Sequence, residues 1–319
     1  MSINHQRTAV VAVGGNSLIL DKDRQKIPDQ YQAAATSMHY VAEMIAAGWN
    51  VVISHGNGPQ VGFILRRSEI ALQEVIPVPM DYATADTQGA IGYMLQRALH
   101  NEFRRMGVKK QAITVVTQVR VDDDDPAFAD PSKPIGSFMD EATARQRAAE
   151  QGWIVKEDAG RGWRRVVPSP LPRAIIELDV IQSLLQAGYV VIAGGGGGIP
   201  VVETVDGDLE GVEAVVDKDF ASSLLANTLD VDLFLISTGV EKVALHFNTP
   251  EQHWLDCLTL TEARHYYAEG HFASGSMGPK IKAMIDFLER GGRQGLITDP
   301  TNIGRALAGA TGTLLLPDP

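Results

Sequence analysis

The stretch Tyr189-Val-Val-Ile-Ala-Gly-Gly-Gly-Gly-Gly-Ile-Pro-Val201 decides how the rest of the chain is read. Residues 189–192 form an uninterrupted apolar run of the kind expected for a strand buried on both faces. Glycines occupy every position from Gly194 to Gly198. Without Cβ atoms such a run folds tightly and presents its N–H groups. In α/β sheets that edge is where phosphate ligands sit. Asp217-Lys-Asp219 then opens an amphipathic helix. The region is expected to grip a phosphorylated ligand.

Outward from this stretch the same pattern recurs. Residues 8–13 read as a buried strand ending in Gly14-Gly-Asn-Ser17, and residues 28–47 as a helix with Met38, Val41, Ala42 and Ile45 on one face. Gly48 is placed to end that helix. Residues 50–54 form the next strand, running into His55-Gly-Asn-Gly-Pro-Gln60, with Pro59 suited to a helix's first turn. A helix over 84–106 and a strand over 111–116 follow. Residues 47–56 echo 187–194 as helix end, buried strand and glycine loop, which suggests two glycine loops on one sheet edge, one per ligand. Further on, helices are predicted over 172–186, 217–229 and 279–290, and strands over 233–237 and 243–247. Residues 294–298, 301–308 and 313–316 complete a strand–helix–strand pattern. Alternating strands and helices predict an α/β fold with a mainly parallel sheet covered on both faces.

Residues 117–168 break this alternation. They carry Asp122-Asp-Asp-Asp125 and several prolines. Asp140 is placed to cap a short helix that Gly152 ends, and 153–167 read as a β-hairpin. The segment is expected to be a small protruding subdomain or lid. The acidic tetrad reads as a solvated turn in preference to a magnesium site.

The 319 residues suit one large α/β domain or two lobes. A net charge of −11 argues against general nucleic-acid or membrane binding. Any phosphate site must then be a local cluster of lysines and amides. Cys257 is the only cysteine, which excludes an intramolecular disulfide or a cysteine-based zinc site. No run reaches the roughly 20 apolar residues of a membrane span, and no signal region is visible. A soluble cytoplasmic protein is expected.

Familiar nucleotide motifs fail. There is no G-x-x-x-x-G-K-[ST], and Ile199 or Pro200 stands where a dinucleotide fingerprint needs its third glycine. No serine elbow or His-Glu-x-x-His occurs. What remains are three glycine-rich strand ends and lysines on separate elements: Lys133 in the lid, Lys218 and Lys280 at helix starts. Phosphoryl transfer asks mainly for positioning and charge neutralisation, which such a set supplies.

The chain as a whole resembles the carbamate kinases of the amino acid kinase family. The resemblance is carried, in the family's order, by Val11-Ala-Val-Gly-Gly-Asn16, His55-Gly-Asn-Gly-Pro-Gln-Val-Gly62, Gln88-Gly-Ala-Ile-Gly-Tyr93, Asp125-Pro-Ala-Phe128 and Lys133-Pro-Ile-Gly136. It continues through Trp163-Arg-Arg-Val-Val-Pro-Ser-Pro170, Gly195-Gly-Gly-Gly-Ile-Pro-Val201, Glu213-Ala-Val-Val-Asp-Lys-Asp219 and Gly275-Ser-Met-Gly-Pro-Lys280. Each block is weak alone, but together they cover nearly the whole chain.

The resemblance implies a single amino acid kinase domain over 1–319, an open three-layer αβα sandwich with a mainly parallel sheet, usually a homodimer. The N-lobe (about 1–190) would hold the phosphoryl acceptor, the C-lobe (about 191–319) ATP or ADP, and 117–168 the lid. The implied reaction interconverts ATP plus carbamate with ADP plus carbamoyl phosphate, with Mg2+, usually toward ATP in catabolism of arginine, agmatine or purines. By position, Lys133 matches the lid lysine that reaches substrate. Lys218 and Lys280 match the pair holding the transferring phosphoryl group, and Asp219 the carboxylate that orients them. Gly14, Gly15, Asn16, Gly56, Asn57 and Gly58, with Gly195, Gly196 and Gly197, match the loops around substrate and phosphate. Ser237, Thr238, Val240, Met277 and Gly278 fall on the nucleotide side. No resident metal ligand is implied.

Carbamate is already an anion and attacks without a general base, so no essential His or Glu is needed; His55 reads as a loop-packing residue. Family members acting on amino acids often carry a lysine where Ala12 stands, as do not the carbamate kinases. Ser17, Ser137 and Met139 depart from the residues common at their positions. Two alternatives stay open: an inactive paralogue that binds nucleotide or carbamoyl phosphate, and a kinase for another carboxylate acceptor.

Overall fold

The computed structural model describes residues 6–15, 18, 19, 21, 23–158, 160–273 and 275–319. Strand β1 (Thr8–Val13) is buried beyond its first residue and sends alternate side chains to opposite faces. Val10 and Ala12 enter one core, and Ala9, Val11 and Val13 the other. Helix α1 (Ile27–Ala46) buries Ala34, Met38, Val41, Ala42 and Ile45, a stripe at three- and four-residue spacing. After β2 (Asn50–His55) come α2 (Gly58–Ile70) and α3 (Met80–Met106). Pro59 sits in the first turn of α2, and Gly107, at φ 68°, stops α3. That helix starts before residue 84, where the sequence pattern placed it. Short strands β3 (Ala112–Thr114) and β4 (Gln118–Arg120) follow.

The chain then builds a small separate unit from β5 (Lys133–Met139), α4 (Glu141–Gln151), β6 (Val155–Glu157) and β7 (Trp163–Val167). Asp140 caps α4 by accepting from Thr143 N at 2.7 Å, and Gly152 closes it in the left-handed region. The strands pair antiparallel in the order β5-β7-β6. Val61, Leu65, Met80, Ile135 and Val167 form a small core of their own that seats this piece on α2 and α3.

The return path corrects the helix expected from residue 172. Ala174–Ile175 is instead a strand, β8, antiparallel to β4. The Glu177 carboxylate accepts from Gln118 N at 2.7 Å, so the chain stays tied to β4, and helix α5 (Leu178–Gln186) starts only afterwards. Then come β9 (Val190–Ile192), β10 (Ile199–Glu203), β11 (Leu209–Gly211), α6 (Lys218–Thr228) and β12 (Leu233–Ser237). The strand expected over 243–247 is shorter, β13 (Val243–Leu245). It pairs only with β14 (His253–Leu255) in a hairpin, because His246 and Asn248 adopt positive φ and turn the chain. The remainder is β15 (Cys257–Thr259), α7 (Leu260–Ala268), α8 (Met277–Glu289), β16 (Gly295–Thr298), α9 (Ile303–Leu307) and β17 (Thr313–Leu316).

Among the described residues the main sheet has eight strands in the order β15-β17-β16-β12-β1-β2-β9-β3. Its pairs are parallel except β16 with β17. Helices α5, α6 and α8 cover one face, and α1, α3 and α9 the other, the αβα sandwich expected. Residues 118–120, within the segment read from sequence as the lid, form β4, which joins β11, β10 and β8 in a separate four-stranded sheet. The acidic tetrad is partly structural. Asp125 accepts from Ala127 N at 2.9 Å and Leu171 N at 3.0 Å, and Asp122 pairs with Arg173.

Candidate active site

The C-terminal ends of β1, β2 and β12 open onto a cleft of about 930 Å³, the edge at which open α/β sheets bind ligands. Gly14 and Gly15 leave β1; Gly56, Asn57 and Gly58 leave β2 and start α2. These loops touch. Gly14 N donates to Ser237 O at 3.0 Å, Gly56 N donates to Val13 O at 3.0 Å, and a Cβ on Gly56 would lie 3.1 Å from Gly15 N and 3.4 Å from Lys218 Cδ. A side chain on Gly56 would crowd the point where three chain segments meet. Asn16, assigned to the same loop, lies outside the described residues, as does Ser17.

The opposite wall is the start of α6. Asp217 caps the helix, accepting from Asp219 N at 2.9 Å. Lys218 and Asp219 occupy its first turn, next to the positive end of the helix dipole. Asp219 is 3% exposed. Its carboxylate accepts from Lys218 Nζ at 2.5 Å and from Lys280 Nζ, in the first turn of α8, at 3.2 Å. Burial on its own would raise the Asp219 carboxyl; the two ammonium groups outweigh that and hold it below its ordinary value. Lys280 is pushed down, first by burial and then by the charge of Lys218, with Asp219 opposing both. One carboxylate thus keeps two cations side by side, facing the Gly14–Gly15 and Gly56–Gly58 loops.

Lys133 reaches the cleft from β5, and its Nζ lies 2.6 Å from Asp217 Oδ2. Lys133, Lys218, Asp219 and Lys280, far apart in sequence, therefore line one space. The far end of the cleft is lined by Thr238, Val240 and Met277, together with Lys242, Phe247 and His271.

The glycine run behaves differently from the sequence expectation. Only Gly196 lines the cleft. A Cβ on Gly195 would fall 2.4 Å from His55 Nε2, and the Gly195 carbonyl accepts from Gln88 Nε2 at 3.0 Å. A Cβ on Gly197 would fall 2.1 Å from Val216 O, and one on Gly198 2.1 Å from Val119 Cγ2. The run is chiefly a packing surface on which His55, Asn57, Val216 and Val119 close. Ser237 and Gly278 also stand back from the cleft: Ser237 is buried at the end of β12, and Gly278 is buried in the first turn of α8 against Ala273 O.

His55 is buried and its Nδ1 lies 3.1 Å from Gly56 O. Burial pushes its imidazole down to about 4, so it is neutral at physiological pH and packs the loop. Sequence reasoning quoted Gln88 within a family block but gave it no role; it donates to the carbonyls of both Thr117 and Gly195 at 3.0 Å. Sequence reasoning also missed Asn57 Nδ2 donating to Thr87 Oγ1 at 2.9 Å. The only sequence signal for these bonds was the polar Thr87-Gln88 pair inside an otherwise amphipathic helix. Asp217, at the cap of α6, Arg164, on β7, and Lys242 went unassigned as well, since an isolated charged residue reads as solvent-facing.

Comparison with known proteins identifies the family. Residues 7–299 match the model of the amino acid kinase family. The carbamate kinase of Pyrococcus furiosus is 47% identical over 98% of this chain and 99% of its own. The carbamate kinase-like protein YahI of Escherichia coli is 50% identical over 96% of this chain and 98% of its own. The structure of the Giardia lamblia carbamate kinase bound to AMP-PNP superposes with a TM-score of 0.92 at 39% identity, covering 98% of this chain and 99% of that one. The chain belongs to the amino acid kinase family, a class of phosphotransferases, and within it to the carbamate kinase branch. Among the described residues, no helix is long and apolar enough to cross a membrane.

Proposed function

We propose that the protein transfers a phosphoryl group reversibly between ATP and carbamate, giving ADP and carbamoyl phosphate. The observation that carries this reading is the pair Lys218 and Lys280 held by one buried carboxylate, Asp219, opposite two glycine loops. In the direction of ATP formation, a β-phosphate oxygen of ADP attacks the phosphorus of carbamoyl phosphate, and the bond from phosphorus to the carbamate oxygen breaks. The leaving carbamate is a stable anion, so no proton need move. Negative charge on the phosphoryl oxygens meets Lys218, Lys280 and the amides of the glycine loops. Lys133 completes the acceptor side, and the protruding piece shields the acyl phosphate from water. We place carbamate at the N-lobe loops and the nucleotide at Thr238, Val240 and Met277 in the C-lobe.

Magnesium fits this site as an ion carried by the nucleotide. Among the described residues no group of three or more His, Cys, Asp or Glu side chains is arranged to hold a metal, and the cleft carboxylates Asp217 and Asp219 already engage lysines. Magnesium keeps water and phosphate oxygens as ligands and needs few from protein. Bound there, it would neutralise charge on the phosphate chain.

In the cell we place the reaction in the direction of ATP formation, fed by a catabolic step that releases carbamoyl phosphate. We further propose a homodimer, which light scattering on the purified chain checks. The functional test is ATP formation from ADP, magnesium and carbamoyl phosphate, with acetyl phosphate as control donor. Rapid ATP with the first and little with the second supports the reading. No ATP from folded, ADP-binding protein overturns it in favour of a binding paralogue.

A further inference from the structure

We propose that Asp217 is a positioning residue that pins the lid lysine, Lys133, to the start of helix α6, so that the lid and the phosphoryl-holding lysines keep one geometry. The inference rests on the reading that Lys133 serves the acceptor. The two oxygens of Asp217 do different things. Oδ1 accepts from Asp219 N at 2.9 Å and starts α6; Oδ2 accepts from Lys133 Nζ at 2.6 Å across the cleft. Capping needs only one oxygen, so the second is free to hold the lid. A capping carboxylate with no further role would leave Oδ2 in water, yet the Asp217 side chain is only 15% exposed.

A second strut runs beside the first. Arg165 Nη2 of β7 donates to Glu213 Oε2 at 2.8 Å, and Met80 N at the start of α3 donates to Glu213 Oε1 at 3.1 Å. Val215 N donates to Pro168 O at 2.9 Å. Residues 213–217 therefore grip the strands that carry Lys133 and Arg165, and the next two residues are Lys218 and Asp219. A shift of the lid reaches the reacting lysines through a few bonds.

Asp217→Asn separates the two roles, because Asn caps helices as well as Asp but carries no charge; Asp217→Ser is the second cap-preserving variant. The first readout needs no turnover. The full-length, ligand-free protein is treated briefly with acetic anhydride, and acetylation of Lys133 is compared with that of exposed Lys109 by mass spectrometry. Loss of the ion pair should speed Lys133 about two- to fivefold, the range of a partly exposed pair; an unchanged rate overturns the proposal.

The second readout is a double-mutant cycle with Lys133→Met under ATP formation. Asp217→Asn should raise KM for carbamoyl phosphate more than KM for ADP. Once Lys133 is gone the same change should cost far less, a coupling of about fivefold or more. Strictly additive losses overturn the proposal while leaving the reaction assignment in place. If wild-type protein forms no ATP, it is the reaction assignment that falls, and acetylation alone decides whether Asp217 holds Lys133.

Discussion

Asp219 stays ionised at 3% exposure because two ammonium groups flank it. Removing its charge strands two cations at the wall of the cleft, and losing one partner of a buried pair costs about 3–5 kcal/mol. Asp219→Asn is therefore expected to lower the melting temperature and to cut kcat by about a hundredfold or more, read by calorimetry and initial rates. His55 offers a test by pH. Its folded pKa is about 4, against an ordinary 6.5, so between these values the unfolded chain binds the extra proton. Stability is full above pH 6.5 and is lost as pH falls toward 4, by up to about 3 kcal/mol from this residue. Urea unfolding at several pH values should show that loss, and His55→Gln should flatten it. A histidine beside a glycine loop is visible in the sequence; its neutrality comes from the walls packed around it.

The glycine loop after β9 shows how an element can be located correctly and its role misread. A strand followed by glycines predicted amides turned toward phosphate. Gly194, Gly196, Gly197 and Gly198 do adopt positive φ, but mostly to let neighbours approach. Gly188, at φ 88° with nothing near its would-be Cβ, provides the control for Gly197, at φ 94° with Val216 O 2.1 Å from that point. Gly188→Ala should cost about 1–2 kcal/mol, the conformational penalty alone. Gly197→Ala should cost several kcal/mol more or prevent folding, measured by denaturant unfolding, because the segment of Val216 leads directly into Lys218 and cannot retreat without moving it. The helix misplaced at 172 has a similar origin. Pro172 is a good helix starter, but the long-range bond from Gln118 N to Glu177 ties its neighbours into β8.

On the scale of the molecule, two large cores sandwich the main sheet, while the β5–β7 unit rests on a much smaller one. Strand β5 is largely half-exposed or exposed, whereas β1, β2 and β12 are buried nearly throughout. Local stability follows burial. Hydrogen exchange by mass spectrometry is expected to show β5, β6 and β7 exchanging about a hundredfold or more faster than β1 and β12, with α2 and the start of α3 intermediate. Equal protection would mean that the β5–β7 unit opens only with global unfolding. Arg164 helps to hold the shape of the β5–β7 unit: its guanidinium donates to the carbonyls of Pro134 at 3.3 Å and Gly136 at 3.2 Å, on the strand that carries Lys133.

The sequence alone determined the α/β class, the central buried strands and helix α4 with its Asp140 cap and Gly152 stop, and it singled out the three lysines and Asp219 that the structure brings to one cleft. These are signalled locally, by hydrophobic period, capping chemistry and ordered motifs. Tertiary structure decided which glycines face the cleft, that β13 leaves the sheet, and that Asp217 reaches Lys133 while Glu213 reaches Arg165. It also decided that β16 and β17 run antiparallel. Those outcomes depend on which separate segments meet, and contacts between separate segments leave no period or spacing in the chain to read.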